Sequence, residues 1–345
     1  MQHKICSASQ KTHSIGQNQV DTLVQKGLGL EGSRPVVLIT GGSGLIGTSL
    51  AIKLAAMGCE VRILGRSLKN LPSTTTNKLE SGQGVITAWA WNPAANQIDR
   101  AAMDGITHAV NLAGAGIAER AWTPLRRKEL LESRTISAHY LKQILTEAPQ
   151  PSVLRIVTAS AIGFYPSGED LAVESGLRGQ GFLAELTEAW EESTRPLESI
   201  APLTTLRIGL VLSNRGGLLG PLLPITRLGL GASIGDGRQW MSWIHEDDMV
   251  RLIVHALFAP HWVSGVYNAV APLPRRHLDF MRDLATAVHR PLWLSVPGWP
   301  LRWIMGERAD LILRGVKASS QKIMDAGFTF RYPDLSQALS DLLIR

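Results

Sequence analysis

Of 345 residues only two are cysteine, Cys6 and Cys59, and four are tyrosine. Two cysteines exclude the disulfide framework of a small secreted domain. Cys59 opens an apolar run and is expected to be a buried thiol. Long hydrophobic runs are missing too, since nothing approaches the roughly 20 apolar residues that a membrane-spanning helix needs. Acidic residues are the minority charge, 29 against 35 Lys and Arg, which leaves a formal net charge of +6. The cations are nevertheless scattered, in short clusters such as Arg126-Arg127-Lys128 and Arg275-Arg276, with no basic stripe interleaved with aromatics. Nucleic acid is therefore not an expected partner, and an anionic cofactor is the more economical use of that charge. The polar opening stretch lacks an apolar core, so it does not read as a secretory signal. A flexible extension over 1–34 and a cytoplasmic, membrane-free protein are the expectations, and oligomeric state is not readable.

What is present is an alternation of short apolar runs with helical patterns. Strands are predicted at Val36–Thr40, Glu60–Leu64, Val85–Trp89, Ala109–Ala113, Arg155–Ser160 and Leu203–Leu212. Amphipathic helices are predicted between them, at Leu45–Met57, Pro124–Thr146 and Gly181–Ser199. Near-continuous apolar strands in strand–helix–strand order imply a parallel sheet covered on both faces. The fold class is thus α/β, a Rossmann-like doubly wound parallel sheet. Past Ser213 the texture turns rich in Gly, Pro and Trp, with helices expected at Asp247–Phe258, Leu278–Ala287 and Trp299–Arg345. This divides the chain into a dinucleotide-binding domain over 35–213 and a smaller C-terminal α/β substrate or lid region over 214–345 that also supplies part of the sheet.

The stretch Thr40-Gly41-Gly42-Ser43-Gly44-Leu45-Ile46-Gly47 follows a strand and opens a helix. It fits GxGxxG from Gly42 or GxxGxxG from Gly41. In that setting glycines let the backbone turn tightly against a pyrophosphate whose charge the helix N-terminus stabilises. The plainer alternative is a glycine turn with no ligand, and the missing GK[ST] ending excludes a P-loop. An NAD site usually closes its second strand with a carboxylate for the ribose 2′-hydroxyl. Here that strand ends Leu64-Gly65-Arg66-Ser67. A guanidinium and a hydroxyl suit a 2′-phosphate, which favours NADP(H), although Arg66 also reads as a solvated loop cation.

Six segments in one order, TGGSGLIG (40–47), VNLAG (110–114), KELLESR (128–134), TASAIGFY (158–165), LRIGLVLS (206–213) and SWIHEDD (242–248), together with the ending at 296–339, carry a resemblance. The chain resembles the epimerase-like family of atypical extended short-chain dehydrogenases/reductases, including that family's C-terminal domain of unknown function. The resemblance implies a cofactor shell in which Gly41, Gly42, Ser43, Gly44, Leu45 and Ile46 hold the pyrophosphate and Gly65 and Arg66 the adenosine end. Leu112, Ala113 and Gly114 would line the cofactor, Glu129 and Arg134 would reach it from the next helix, and Val211 would lie by the nicotinamide. Read alone, these are strand-end packing and helix-surface charges.

Short-chain dehydrogenases that move hydride use a Tyr phenol whose pKa a Lys four residues on lowers. The residues four after Tyr140, Tyr165, Tyr267 and Tyr332 are Ile144, Glu169, Ala271 and Ser336, so no YxxxK exists. Phe182 and Leu186 have that spacing without its chemistry. Near the expected centre stand Ser160, able to orient a carbonyl or hydroxyl, and Tyr165, a displaced proton donor. Their plain readings are a strand-end hydroxyl and a packing phenol. Gln239, Trp240, Ser242, Trp243 and His245 gather an aromatic wall and polar groups suited to a sugar or ring-bearing small molecule. Alternatively Trp243 is core and Ser242 or His245 caps the following helix. The acidic residues after His245 fit the helix dipole better than a metal, so no metal is expected. Two functions follow: an NADP(H)-dependent oxidoreductase or epimerase with remodelled proton transfer, or an NADP(H)-binding sensor or interaction protein with little turnover.

Overall fold

The computed structural model describes residues 34–66, 84–148 and 153–344. The expectation for 1–34 falls, Arg34 apart, outside the described residues, as does the one for Ser67. The chain runs β1 (Val36–Thr40), α1 (Leu45–Ala56), β2 (Glu60–Gly65), β3 (Val85–Asn92), β4 (Gln97–Ile98), β5 (His108–Asn111), α2 (Pro124–Glu147), β6 (Arg155–Ala161), β7 (Leu171–Ala172) and α3 (Phe182–Thr194). Then come β8 (Leu203–Ile208), β9 (Leu210–Ser213), β10 (Gly216–Gly217), α4 (Leu219–Arg227), β11 (Ala232–Ile234), β12 (Trp240–Met241), β13 (Trp243–His245), α5 (Glu246–Phe258) and β14 (Gly265–Ala269). The last elements are β15 (Arg275–Arg276), α6 (His277–Ala287), β16 (Leu294–Val296), α7 (Gly298–Met305), α8 (Asp310–Leu313), β17 (Lys317–Ala318), α9 (Gln321–Asp325) and α10 (Leu335–Ile344).

Eight strands form the main sheet in the order β14-β8-β6-β5-β1-β2-β3-β4, all parallel except the short β3–β4 pair. The chain leaves β1 toward β2 on one side and returns to β5 on the other, which puts a topological switch point at the carboxyl ends of β1 and β5. Every residue of β1 is buried because both faces are covered. Val37 and Ile39 join Leu50 and Leu54 of α1 and Met249 and Ile253 of α5 in one cluster. Val36 and Leu38 join Tyr140, Leu141 and Ile144 of α2 in another. This is the period-2 division of a strand between two apolar layers. A third cluster unites Leu212 of β9 with Trp243, Phe280, Leu284, Leu335 and Leu339 and forms the C-terminal core.

Two expected elements need correction. The run 203–212 is two strands, because a Cβ at residue 209 would lie 2.5 Å from the Ser242 carbonyl oxygen and Gly209 N donates to Ala269 O. Beyond that glycine, β9 leaves the main sheet and pairs with β13. The helical ending is four helices and a strand, broken at Gly306 and Gly327, both in left-handed backbone. Asp248, fully buried at the start of α5, ties this ending down by accepting from the backbone N–H of Arg331 and Tyr332 and from Arg251. Cys59 is fully buried, and burial pushes its thiol up to about 12.

His108 sits inside β5 against Phe258 of α5, with ring centroids 4.7 Å apart and Nδ1 2.9 Å from Thr107 Oγ1. Burial, and then the charge of Arg155, lower its pKa to about 4. The folded ring stays neutral where an unfolded one takes a proton below about 6.5, so its contribution is whole above pH 6.5 and lost as pH falls to about 4. That loss is worth about 3 kcal/mol. In urea titrations at pH 7 and pH 4, wild type should lose about 3 kcal/mol more than His108→Leu; equal losses would remove His108 as the acid-sensitive group.

Candidate functional site

At the switch point the Thr40 hydroxyl donates to Asn111 Oδ1 at 2.6 Å, joining the ends of β1 and β5. The chain then turns through Gly41, whose φ of +70° favours glycine and whose Cβ would lie 2.5 Å from the Leu112 carbonyl oxygen. One turn into α1, a Cβ on Gly47 would lie 2.5 Å from the Gly41 carbonyl oxygen. A side chain at Gly42 would run into Ile63 of β2. The loop is thus pressed flat between β2, β5 and α1, with Ser43 and Gly44 left exposed and Leu45 and Ile46 half-buried. Gly44 caps α1 in extended backbone without a side-chain acceptor, and the first turn carries no acidic residue. The positive end of the helix dipole is left for a ligand. Val211 lies close by, since the Gly217 position that its carbonyl crowds also meets Leu45.

The β5 side supplies a buried cation. Arg134 is 8% exposed, and its guanidinium stacks over Trp190, 4.8 Å from the ring centroid. Nη1 and Nη2 donate to the Leu130 and Ala115 carbonyls, and Nε has no hydrogen-bond partner. A Cβ on Gly114 would touch this guanidinium at 3.1 Å. Burial first, then the charge of Arg126, draw its pKa down to about 10. Among the described residues Arg134 has no carboxylate partner. Arg66, exposed at the end of β2, adds its charge at Glu129. The Glu129 carboxylate also takes ion pairs from Arg126 at 2.7 Å and Arg120 at 3.1 Å. The Arg126 hydrogen bond, with these charges behind it, holds Glu129 below the usual carboxylate range. The sequence reading did not single out Arg120 or Arg126 here, although the clustered cations at 126–128 were a signal.

Ser160, expected to orient a substrate carbonyl or hydroxyl, and Tyr165, expected as a displaced proton donor, stand at and just beyond the end of β6. Both are buried in one polar network. Ser160 Oγ donates to Glu191 Oε1 at 2.5 Å, and Arg207 clamps the same carboxylate through Nε at 2.7 Å and Nη2 at 2.8 Å. Arg207 Nη1 donates to the Tyr165 oxygen at 2.8 Å, and that hydroxyl donates to Asn268 Oδ1 at 2.7 Å. Burial raises the Tyr165 pKa above its usual value in spite of Arg207, which makes the phenol a poorer proton shuttle at neutral pH. Phe182 meets Trp122 edge-on and lies under the Arg127 guanidinium, while Leu186 is buried. Glu191, Arg207 and Asn268 were missed because nothing in their spacing announces a contact across three elements.

The Trp-rich stretch divides similarly. Trp243 is fully buried and donates Nε1 to Leu273 O; Ser242 Oγ donates to Val316 O and accepts from Ala318 N. His245 Nδ1 accepts from Asp247 N, capping α5, and its ring stacks on Tyr332 at 3.9 Å. Gln239 Nε2 donates to the Ile234 and Ile312 carbonyls. Packing and backbone bonds engage Ser242, Trp243, His245 and Gln239, the residues expected beside Trp240 in a substrate wall. Gln239 and Trp240 remain half-exposed, and the Trp240 ring has Arg276 at 3.7 Å and Lys317 at 4.8 Å from its centroid. Glu169 accepts from Trp240 Nε1 and pairs with Arg276. Hydrogen bonds from Arg276 first and Trp240 second lower its carboxyl to about 2. No metal-binding group of three or more His, Cys, Asp or Glu occurs among the described residues.

A glycine-rich turn from a central parallel strand into a helix, at the switch point of a doubly wound sheet, defines a dinucleotide-binding protein of the Rossmann class. Comparison with known proteins narrows this. Residues 37–179 match the NAD dependent epimerase/dehydratase family and residues 296–342 a domain of unknown function, DUF1731. The epimerase family protein Mb2239 of Mycobacterium bovis is 36% identical over 308 residues, 88% of this chain and 96% of that one. Human epimerase family protein SDR39U1 is 32% identical over 89% of this chain and 99% of its own. The crystal structure of human SDR39U1 (isoform 2) with NADPH superposes with a TM-score of 0.77 at 30% identity, covering 89% of this chain and 98% of that one. The UDP-glucose 4-epimerase of Thermus thermophilus in complex with NAD, at 18% identity and a TM-score of 0.66, shares the fold. The chain belongs to the epimerase family.

The Glu191–Arg207 pair is testable without a substrate. Glu191→Leu strands a buried guanidinium and should cost about 3–5 kcal/mol in urea denaturation. The double variant Glu191→Leu/Arg207→Met should recover most of that loss. A single variant as mild as the double would mean that the pair is not coupled.

Proposed function

We propose that this chain is an NADP(H)-dependent oxidoreductase that acts on a small molecule without the Tyr–Lys proton apparatus. The observation that carries the reading is Arg134, a buried guanidinium with no carboxylate partner among the described residues, beside Gly114 at the switch point. A charge buried this way is costly until an anion meets it, and the glycine loop opposite has the shape and dipole for one. The residues present fit the cofactor. Gly41, Gly42, Ser43, Gly44, Leu45 and Ile46 would hold the pyrophosphate at the α1 N-terminus. Leu112, Ala113 and Gly114 would pack along the cofactor, with Arg134 and Glu129 on the α2 side and Val211 by the nicotinamide. Gly65 and Arg66 would take the adenosine ribose and its 2′-phosphate, and the NADPH named with the human SDR39U1 structure supports that choice.

When bound, NADP(H) would supply or accept a hydride. The protein's part is to orient the partners and exclude water, while the proton comes from solvent or the substrate itself. Epimerisation through a keto intermediate is disfavoured, because a proton must be handled in both directions and the relevant positions hold Phe182 and Leu186. The substrate is a small ring-bearing or sugar-like molecule meeting Trp240, the half-exposed aromatic between Arg276 and Lys317. A second reading is favoured by the locked state of Ser160 and Tyr165: an NADP(H)-responsive binding protein with little turnover. No described helix is long and apolar enough to cross a membrane, and a buried free thiol at Cys59 suits a reducing compartment such as the cytoplasm.

Fluorescence titration of cofactor-stripped protein with NADPH and NADH in parallel tests the reading. NADPH should bind at least tenfold more tightly than NADH, and Arg66→Glu should remove that preference while sparing NADH affinity. Equal losses for both nucleotides would remove Arg66 from the 2′-phosphate site. No binding of either would overturn the proposal.

A further inference from the structure

The C-terminal region carries an apolar surface that the cofactor reading leaves unused. Trp299 and Trp303 lie one turn apart on α7, 73% and 87% exposed, on the same helix face. β16, just before α7, begins beside Trp293 and at Leu294, both exposed. Its parallel partner β11 is preceded by Leu228 and Leu230, exposed as well. The register Ala232↔Leu294 and the bond from Arg290 Nε to the Arg227 carbonyl hold β11, β16 and the segments before them side by side. Soluble proteins rarely leave so many large apolar groups together without a partner surface.

Charge selects the occupant. Segments 219–240 and 289–315 contain six arginines, no lysine and three carboxylates, Asp236, Glu307 and Asp310. Two of those carboxylates are engaged, Glu307 with Arg127 and Asp310 with Arg314 and Arg302. Exposed Arg227 and Arg290 flank the apolar residues. A second copy docked here would set one cationic surplus against another. Exposed indole rings in segments with an arginine surplus instead match a negatively charged bilayer surface, where Trp settles at headgroup depth and guanidinium groups meet phosphates. We propose that this face docks on an anionic lipid surface, with Trp299 and Trp303 entering the headgroup layer. The placement does not depend on which reaction the cofactor site performs.

The test is co-sedimentation of the full chain with vesicles of phosphatidylcholine alone and of phosphatidylcholine with about 30% phosphatidylglycerol, near 0.1 M salt. The chain should pellet with the anionic vesicles, stay in solution with the neutral ones, and come off as salt rises toward about 0.5 M. Trp299→Ala/Trp303→Ala should weaken anionic-vesicle binding at least tenfold while circular dichroism and the NADPH titration stay unchanged. Both side chains are exposed, so folding is not at stake. Absence of binding, equal binding to neutral vesicles, or no effect of the double variant would each overturn the proposal. A concentration-dependent dimer lost in the double variant would assign the face to a second copy. Retention on poly-glutamate that survives the double variant, with no vesicle binding, would assign the arginines to an acidic protein.

Discussion

Gly47 allows α1 to lean on the Gly41 carbonyl, and Gly41 allows the same turn to lie against the backbone of Leu112. These approaches set the distance between β1, β5 and the start of α1, and every group at the switch point takes its position from them. The Thr40–Asn111 bond fixes the strand ends laterally. With the loop this close, the first turn of α1 offers backbone N–H groups with no carboxylate to compete for them. Arg134 comes from α2 beside Gly114, held over Trp190 and bonded to the Leu130 and Ala115 carbonyls and to Ser133 Oγ. Steric permission from glycine thus shapes one side of the switch point, and a buried charge with no carboxylate partner among the described residues stands by Gly114 on the other.

The polar network behind β6 answers a different demand. In a hydride-transfer site a phenol and an ammonium would have to stay mobile and wet enough to exchange protons. Here a carboxylate grips a guanidinium with two bonds, a serine closes one end and a tyrosine–asparagine pair the other. Satisfied networks of this kind rigidify a core, because breaking one member strands the rest in low dielectric. The Ser and Tyr that sequence logic offered for catalysis take part in this network, which joins β6, α3, β8 and β14. A fold can keep its cofactor crevice while losing its acid/base pair, since the two rest on separate sets of contacts.

Much of the first half was legible because its information is local. β1, the glycine turn and α1 are contiguous, and the burial of β1 on both faces is written in VVLIT itself. Arg66 was legible for the same reason, as the residue that closes a strand. The C-terminal half was not, because its partners are far apart along the chain. Trp243 pairs with Leu210, and Ser242 bonds to Val316 and Ala318 more than 70 positions away. No periodicity reveals such pairings, so a run of Trp, Ser and His read as an aromatic pocket when most of it is core and cap. The helix-cap alternative for His245 was open in the sequence, and the bond from Asp247 N decides it. Glu191 and Arg207 lie on a helix and a strand 16 residues apart, where each alone reads as an ordinary surface charge.

The C-terminal block is held to the nucleotide-binding layer unequally at its two ends. Near α10, the fully buried Asp248 accepts two backbone N–H groups and a guanidinium, bonds whose loss would leave a charge or amides unmet in the core. Near α7, half-buried Arg127 of α2 pairs with exposed Glu307. A surface pair of that kind is worth about 0–1 kcal/mol. The segment carrying Trp299 and Trp303 meets α2 through this pair. The contact lies at the start of α2, where Arg120, Arg126 and Glu129 gather. Anything that captured the tryptophan face would act on the molecule through this weak contact first. The deep anchor at Asp248 would keep the rest of the fold in place.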